Sequence, residues 1–141
     1  MVSREEPAVP VRIVIDTNVF VAAAFRRGGT SHRILRAVTE GRVVHVWHDV
    51  TRGETEAIVR RIPPLRPFDL APFFSSENRH AGSLDRKPYR AVADPSDRWF
   101  AALAGSTGSI VVTSDDDLLG PRDQLDITIE TPAELARRLG L

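Results

Sequence analysis

Residues Val11-Arg12-Ile13-Val14-Ile15-Asp16-Thr17-Asn18 carry the strongest structural signal in the sequence. Their run of Val and Ile predicts a short buried strand over residues 12–16. The Val- and Ala-rich segment that follows predicts a helix over residues 17–25, and Asp, Thr and Asn are all favoured where a helix begins. A buried strand that leads directly into a helix is the repeating unit of sheets that carry helices on their faces.

The same alternation of strands and helices continues to the end of the chain. Further strands are predicted over residues 43–47, 109–113 and 127–130, and further helices over residues 31–41, 51–62, 94–104 and 131–140. Residues 68–74 predict a short helix, and residues 75–87 predict an exposed loop. This order predicts an α/β fold, a three-layer α/β/α sandwich with a central, mostly parallel sheet.

The composition sets limits on the class of protein. The 141 residues suit one domain, which we place at residues 11–141 behind a loose polar tail of residues 1–10. Hydrophobic residues make up 42% of the chain, which argues against global disorder. The absence of cysteine excludes disulfides and zinc–thiolate sites and is compatible with a reducing cytoplasm. The tail lacks the apolar core of a signal peptide and no apolar stretch approaches ~20 residues, so we expect a cytoplasmic protein without a membrane span.

The charges are balanced, but the acidic residues stand at informative positions. Asp16 closes the first strand, Asp115 follows the strand over residues 109–113, and Asp97 and Glu54 lie near the starts of predicted helices. Strand ends and helix starts of this kind gather at one edge of an α/β sheet. Carboxylates about 4 Å apart repel by roughly 4 kcal/mol per pair at an effective dielectric near 20. A cluster of them therefore needs a divalent cation, and all-oxygen ligands favour Mg²⁺ or Mn²⁺.

Each acidic position also has a simpler structural explanation. Asp16 and Asp94 are natural helix caps, with Pro95 at the first helical position, and Asp97 complements the helix dipole. Some phosphoryl-transfer enzymes use a strand-end aspartate as a nucleophile, with a second aspartate two residues later. Asn18 occupies that later position here, which argues against such an enzyme.

Two local ambiguities concern the third helix and the last acidic run. Glu54 shares one helical face with two isoleucines at i, i+4 and i+8 spacing, so we expect it to face the sheet edge. Glu56 points away and is expected to pair with Arg60. In the run that follows the strand over residues 109–113, Asp115 is the first candidate ligand and Asp117 the second, through a water, whereas Asp116 is expected to face solvent.

Taken together, these motifs resemble the PIN domain over about residues 11–139. The resemblance rests on four motifs in order: Asp16-Thr17-Asn18, Glu54, Asp94-Pro95-Ser96-Asp97 and Thr113-Ser114-Asp115-Asp116-Asp117-Leu118-Leu119. Within this family the chain resembles bacterial VapC-type toxins of type II toxin–antitoxin systems. The ending Ile127-Thr128-Ile129-Glu130-Thr131-Pro132-Ala133-Glu134-Leu135 also resembles one bacterial branch.

The resemblance implies a Rossmann-like, Mg²⁺- or Mn²⁺-dependent ribonuclease that leaves a 5′-phosphate on one product. Matched to the family, the catalytic acids are Asp16, Glu54, Asp97 and Asp115, and the metal ligands among them are Asp16, Asp97 and Asp115. Supporting positions are Thr17, Asn18, Asp94, Ser114 and Asp117. The arginines expected to hold the RNA backbone are Arg26, Arg27, Arg52 and Arg98.

The resemblance also implies partners and shows departures. A toxin would have a cognate antitoxin covering its acidic site, and homodimers are common in the family. Ser114 stands where the family often has glycine, and Trp99 stands where smaller residues are common. The alternative function is a catalytically silent PIN-like module that binds RNA or protein through another face.

Overall fold

A computed structural model describes residues 9–141; most of the predicted N-terminal tail lies outside the described residues. The described part contains four strands, six α-helices and five short 3₁₀ turns. The strands are β1 (Val11–Ile15), β2 (Val43–His45), β3 (Ile110–Val112) and β4 (Ile129–Glu130), and the helices are α1 (Thr17–Phe25), α2 (Thr30–Thr39), α3 (Asp49–Arg60), α4 (Asp97–Thr107), α5 (Asp116–Leu119) and α6 (Pro132–Leu139). No helix in this range is both long and apolar enough to cross a bilayer.

The sheet is parallel throughout, with the strand order β2-β1-β3-β4. The chain leaves β1 for β2 on one side and later returns to β3 on the other side of β1. The carboxyl ends of β1 and β3 therefore flank a topological switch point, where open α/β sheets bind their ligands. Ile15 pairs with Val112 across these two strands, so Asp16 and Thr113 follow them at the same edge.

Alternate residues of β1 enter two apolar clusters on opposite faces of the sheet. Ile13 and Ile15 pack in a cluster with residues of α1, α2 and α6, whereas Val14 packs in a cluster with residues of α4 and α5. Helices cover both faces, and the predicted three-layer α/β/α fold is confirmed. Burying each large aliphatic side chain contributes about 1.5–3 kcal/mol, so β1 anchors both halves of the core.

The predicted start of the fourth helix was wrong by three residues. Helix α4 begins at Asp97, and the segment before it is a turn in which the Asp94 carboxylate accepts a hydrogen bond from the Ser96 backbone at 2.9 Å. The backbone N–H groups of the next three residues bond to carbonyls three positions back. These i→i+3 bonds are those of a 3₁₀ turn that precedes the helix. An aspartate followed by a proline is compatible with such a turn as well as with the start of an α-helix.

The middle of the chain is more ordered than its sequence predicted. Residues 68–74 contribute a 3₁₀ turn, Ala71–Phe73, rather than a helix. The following segment is tied to the end of β2: the Trp47 indole donates to the Ser75 carbonyl at 2.8 Å, and Trp47 forms a bridge with Arg79. Phe74 is buried against the Phe20 ring. The predicted exposed loop is therefore fastened at its start by a buried aromatic cluster.

Two helical glycines differ in the space around them, which gives a matched test of packing. A Cβ built at Gly105 in α4 would lie 1.9 Å from the hydroxyl of buried Tyr89, whereas one built at Gly53 in α3 would meet nothing within 4 Å. We expect Gly105→Ala to lower the free energy of unfolding by about 1–2 kcal/mol because overpacking outweighs the gain in helix propensity.

Gly53→Ala is the control and should raise the free energy of unfolding by about 0.5–1 kcal/mol. Urea denaturation of both variants measures the difference. Adding Tyr89→Phe should recover part of the loss in Gly105→Ala, because it removes the clashing hydroxyl. Equal stabilisation by both alanines would contradict the close approach of α4 to Tyr89.

Candidate metal centre

Asp16 lies at the switch point, where β1 passes into α1. Its carboxylate accepts three hydrogen bonds: from the Thr17 backbone at 2.8 Å, from the Asn18 amide at 3.1 Å and from the Thr113 hydroxyl at 2.7 Å. The residue is only 3% exposed. Asp16 thus caps α1, as the simpler explanation required, and its oxygens are also fixed in orientation.

Thr113 connects the ends of the two central strands. Its hydroxyl donates to Asp16 and accepts from the Asp115 backbone N–H at 2.9 Å. The side-chain oxygen Oδ1 of Asn18 accepts a hydrogen bond from the Ser114 backbone N–H at 3.2 Å. The Ser114 side chain itself is exposed, so the hydroxyl predicted to support the acids belongs to Thr113 instead. This role was not predicted from the sequence, although a threonine at the end of a buried strand is its signal.

Asp97 joins Asp16 and Asp115 from helix α4, which packs on the face of the sheet opposite to α1. It is the first residue of α4, and the N-terminus of that helix favours an ionised side chain. One carboxylate oxygen from each of Asp16, Asp97 and Asp115 lies within 4.8 Å of the other two. The Oδ2 atom of Asp97 is buried and has no hydrogen-bond partner among the described residues.

Burial and mutual repulsion shift the acidities of this cluster. Burial raises the pKa of Asp16 to about 6, against the lowering effect of its hydrogen bonds from Thr113 and Thr17. Burial also raises the pKa of Asp97 to about 8, and the charges of Asp16, Asp115 and Asp94 add to the rise. Without a cation the cluster therefore holds protons near neutral pH.

The donor set fits a hard divalent cation. A buried carboxylate oxygen without a donor is costly unless a cation or proton satisfies it. The converging ligands are all carboxylate oxygens, which Mg²⁺ and Mn²⁺ prefer. Asp16, Asp97 and Asp115 would hold such an ion, and the hydrogen bonds from Thr113 and Asn18 orient the first of these ligands.

Three further acids lie around this centre. Glu54 lines the same cleft from α3, but its carboxylate is not one of the three that converge. Asp94 and Asp117 form a second group with Asp97, with oxygens also within 4.8 Å of one another, and both are exposed. The four acids predicted to be catalytic therefore line one cleft, in which Asp16, Asp97 and Asp115 converge and Glu54 stands apart from them.

The rotation of α3 explains why Glu54 faces the cleft. The Thr55 hydroxyl lies 2.9 Å from that of Thr17, so one buried stripe of α3 sits against the start of α1. The isoleucines expected to be buried with Glu54 are instead half-buried and line the cleft. Glu56 pairs with Arg52 at 3.1 Å rather than with Arg60 as predicted.

Comparison with known families decides the classification. The PIN domain profile matches residues 12–117, which is most of the chain. The chain belongs to the PIN domain family. It is also 25% identical, over an alignment of 151 positions, to an uncharacterized protein of Methanocaldococcus jannaschii, and the alignment covers 89% of this chain and 90% of that protein. PIN domains are generally metal-dependent nucleases, which accords with the acidic group at the switch point.

The predicted RNA-binding arginines do not line the acidic cleft of this PIN domain. Arg26 and Arg27 follow the far end of α1. The Arg52 guanidinium stacks over the Trp47 ring at 5.2 Å, and Arg98 donates to the Val92 carbonyl at 2.8 Å. The contacts of Arg52 and Arg98 are thus local. The arginine that does line the cleft, Arg61, was not singled out from the sequence.

We expect the metal-free protein to lose stability as pH rises from about 6.5 to 8. Native Asp97 keeps a proton up to its raised pKa of about 8, whereas the unfolded chain releases it near the ordinary value of 3.8. The native state then binds more protons, so the free energy of unfolding falls with pH, by up to about 2 kcal/mol over this interval. Buried His45, whose pKa is lowered to about 4, opposes the trend only below its ordinary value of 6.5.

Urea denaturation in EDTA at several pH values measures this slope. Asp97→Asn should flatten the slope, Asp116→Asn should keep it because that side chain is exposed and lies outside both acidic groups, and saturating Mg²⁺ should raise stability most at pH 8. A metal-free stability that rises over this interval would contradict the buried, protonated state of Asp97.

The bridging role of Thr113 predicts a loss of metal affinity in Thr113→Val. Valine keeps the shape but removes both the donor to Asp16 and the acceptor for the Asp115 N–H. We expect Mn²⁺ affinity, measured by titration calorimetry, to fall about 10–100-fold. Ser114→Ala is the control and should change affinity little, because its side chain is exposed. Equal losses of affinity in the two variants would contradict the assignment of the supporting hydroxyl to Thr113.

Proposed function

We propose that this PIN domain is a metal-dependent endoribonuclease that hydrolyses RNA phosphodiester bonds. The observation that carries the proposal is the buried, unpartnered Oδ2 of Asp97 next to the converging carboxylates of Asp16 and Asp115. A purely structural cap has no reason to leave such an oxygen buried beside two other acids.

The chain divides the work of hydrolysis among its own residues. Asp16, Asp97 and Asp115 would bind Mg²⁺ or Mn²⁺. Such an ion supplies Lewis acidity, which activates water and neutralises charge on the phosphate. Glu54 lines the same cleft from α3 and would orient the attacking water or take its proton. One product would carry a 5′-phosphate.

We also propose a biological setting for the nuclease. The sequence resembles VapC-type toxins, so the protein would act as the toxin of a toxin–antitoxin pair in the cytoplasm, with an antitoxin covering the acidic cleft. Homodimer formation is part of the same proposal. It is supported by the apolar surface of α1, where Phe25 is 59% exposed.

The geometry disfavours Asp16 as a covalent nucleophile. Both of its carboxylate oxygens accept hydrogen bonds, and the side chain is almost fully buried. A nucleophile needs an accessible lone pair in line with the phosphorus atom. The role of metal ligand is compatible with this environment, because Oδ1 accepts a single hydrogen bond, from Thr17, whereas Thr113 and Asn18 both donate to Oδ2.

Cleavage of a mixed RNA pool by purified protein tests the proposal. We expect cutting in Mg²⁺ or Mn²⁺ and none in EDTA, and Asp97→Asn should lose more than about a hundredfold in rate because one ligand is gone. Asp116→Asn is the matched control and should cut like the wild type, since it changes an exposed acid outside both groups.

Each other result has a definite meaning. Equal cutting by wild type and Asp97→Asn would mean a contaminating ribonuclease or a different site. Mn²⁺ binding that is unchanged in Asp16→Asn, together with no cutting, would favour a silent module that binds RNA or protein elsewhere.

A further inference from the structure

The cleft that holds the acids has a second, apolar side. It encloses about 470 Å³, within the range of ligand-binding pockets, which is about 300–1,000 Å³. Four of its lining residues are apolar and form what we call the apolar wall: Val21, Ile58, Ile62 and Phe100. Binding a metal ion requires only the carboxylates, so the wall is not explained by the metal centre.

The apolar wall lies about one helical turn from the acidic residues. Ile58 follows Glu54 by four positions on α3, and Phe100 follows Asp97 by three on α4. Residues at these spacings are neighbours on one helical face. Ile58 is only half-buried, as are the other aliphatic residues of the wall. Partly exposed aliphatic groups that line a cleft beside polar groups are typical of ligand-binding sites.

Arg61 adds a positive charge to this otherwise acidic cleft. It is the one cation among the described residues that line the cleft, where it stands with five carboxylates. It caps the end of α3, and the ion pairs found among the described residues do not include it. A guanidinium is well shaped to bind a phosphate in bidentate fashion.

Together these groups match the two halves of a nucleotide. The phosphate is anionic and suits Arg61, and the base has flat apolar faces that suit aliphatic side chains. We propose that Arg61 and the apolar wall form a nucleotide subsite next to the metal centre. Arg61 binds the phosphate neighbouring the scissile one, and the base of that nucleotide lies against Val21, Ile58 and Ile62.

This subsite rests on the proposed function and deepens it. The occupant is RNA because the subsite continues directly from the acids, where the proposed reaction places a phosphodiester. A base within a duplex stays stacked and cannot reach the wall, so the nucleotide that occupies the subsite is unstacked. The apolar wall thereby gives the cleft a preference that the metal ligands alone do not provide.

Binding of short RNA tests the role of Arg61. Fluorescein-labelled RNA dodecamers of A, of U and of C are titrated in Mg²⁺, in the Asp97→Asn background so that no strand is cut. We expect Arg61→Ala to weaken binding about tenfold and to reduce the slope of log affinity against log salt by about one. Arg61→Lys should keep the salt slope.

Arg60→Ala is the matched control. Arg60 is exposed and adjacent in sequence, but it lines a different pocket, so affinity and salt slope should stay unchanged. Equal effects of Arg61→Ala and Arg60→Ala would overturn the phosphate contact.

Abasic substitution tests the apolar wall. A series of dodecamers is made in which one nucleotide lacks its base, at a different position in each strand. Their affinities are compared with that of intact RNA. We expect one abasic position to weaken binding about tenfold, because the strand loses the apolar contact that this base makes with the wall. Ile58→Ser and Ile62→Ser should bind intact RNA more weakly and show no further loss with the abasic strand. Their melting temperatures, compared with the parent, verify folding. An undiminished abasic penalty in both variants would overturn the base contact.

Failure of the subsite and failure of the nuclease proposal are distinguishable. If wild-type protein cuts RNA but Arg61→Ala and Ile58→Ser bind and cut like their parents, the subsite is wrong and the nuclease stands. If the binding results are as expected but wild type cuts nothing in Mg²⁺ or Mn²⁺, the subsite stands and the nuclease proposal is wrong.

Discussion

Electrostatic repulsion among the clustered carboxylates is the main force that the folded chain has to balance. Asp16, Asp97 and Asp115 come from two strand ends and one helix start, and their oxygens converge within 4.8 Å. Each unneutralised pair at such range opposes folding by roughly 4 kcal/mol at an effective dielectric near 20. The apolar packing on both faces of β1 offsets this cost, which a proton on Asp97 or a bound cation would lower.

Helix α3 determines what faces the acids. Its rotation is fixed where the Thr55 and Thr17 hydroxyls meet, and this turns Glu54 and Arg61 into the cleft. Arg52 stacks instead on the buried aromatic cluster beyond the sheet edge. The contact between Thr55 and Thr17 thus accompanies a rotation of α3 that places Glu54 and Arg61 in the cleft and Arg52 against the aromatic cluster.

The parallel sheet and the convergence of Asp16, Asp97 and Asp115 could be predicted from the sequence because both have local signals. Runs of Val and Ile mark the strands, and strand ends are visible without any tertiary contact. Thr113 and Arg61 were missed for physical reasons. A threonine that ends a strand does not reveal its partner across the sheet, and Arg60 and Arg61 look equally solvent-exposed until the rotation of α3 is known. The segment after α3 has no periodic pattern because contacts with distant residues such as Trp47 order it.

The strands at the two edges of the sheet are short. Strand β4 contains two residues and β2 contains three, and the chain beyond β2 is joined at Trp47 to the segment that carries Arg79. An edge this brief offers few free backbone groups to a second chain. Association by extending the sheet is therefore disfavoured at these edges, which protects a metal-free population from strand-to-strand aggregation and leaves helical surfaces as the places where another protein can bind.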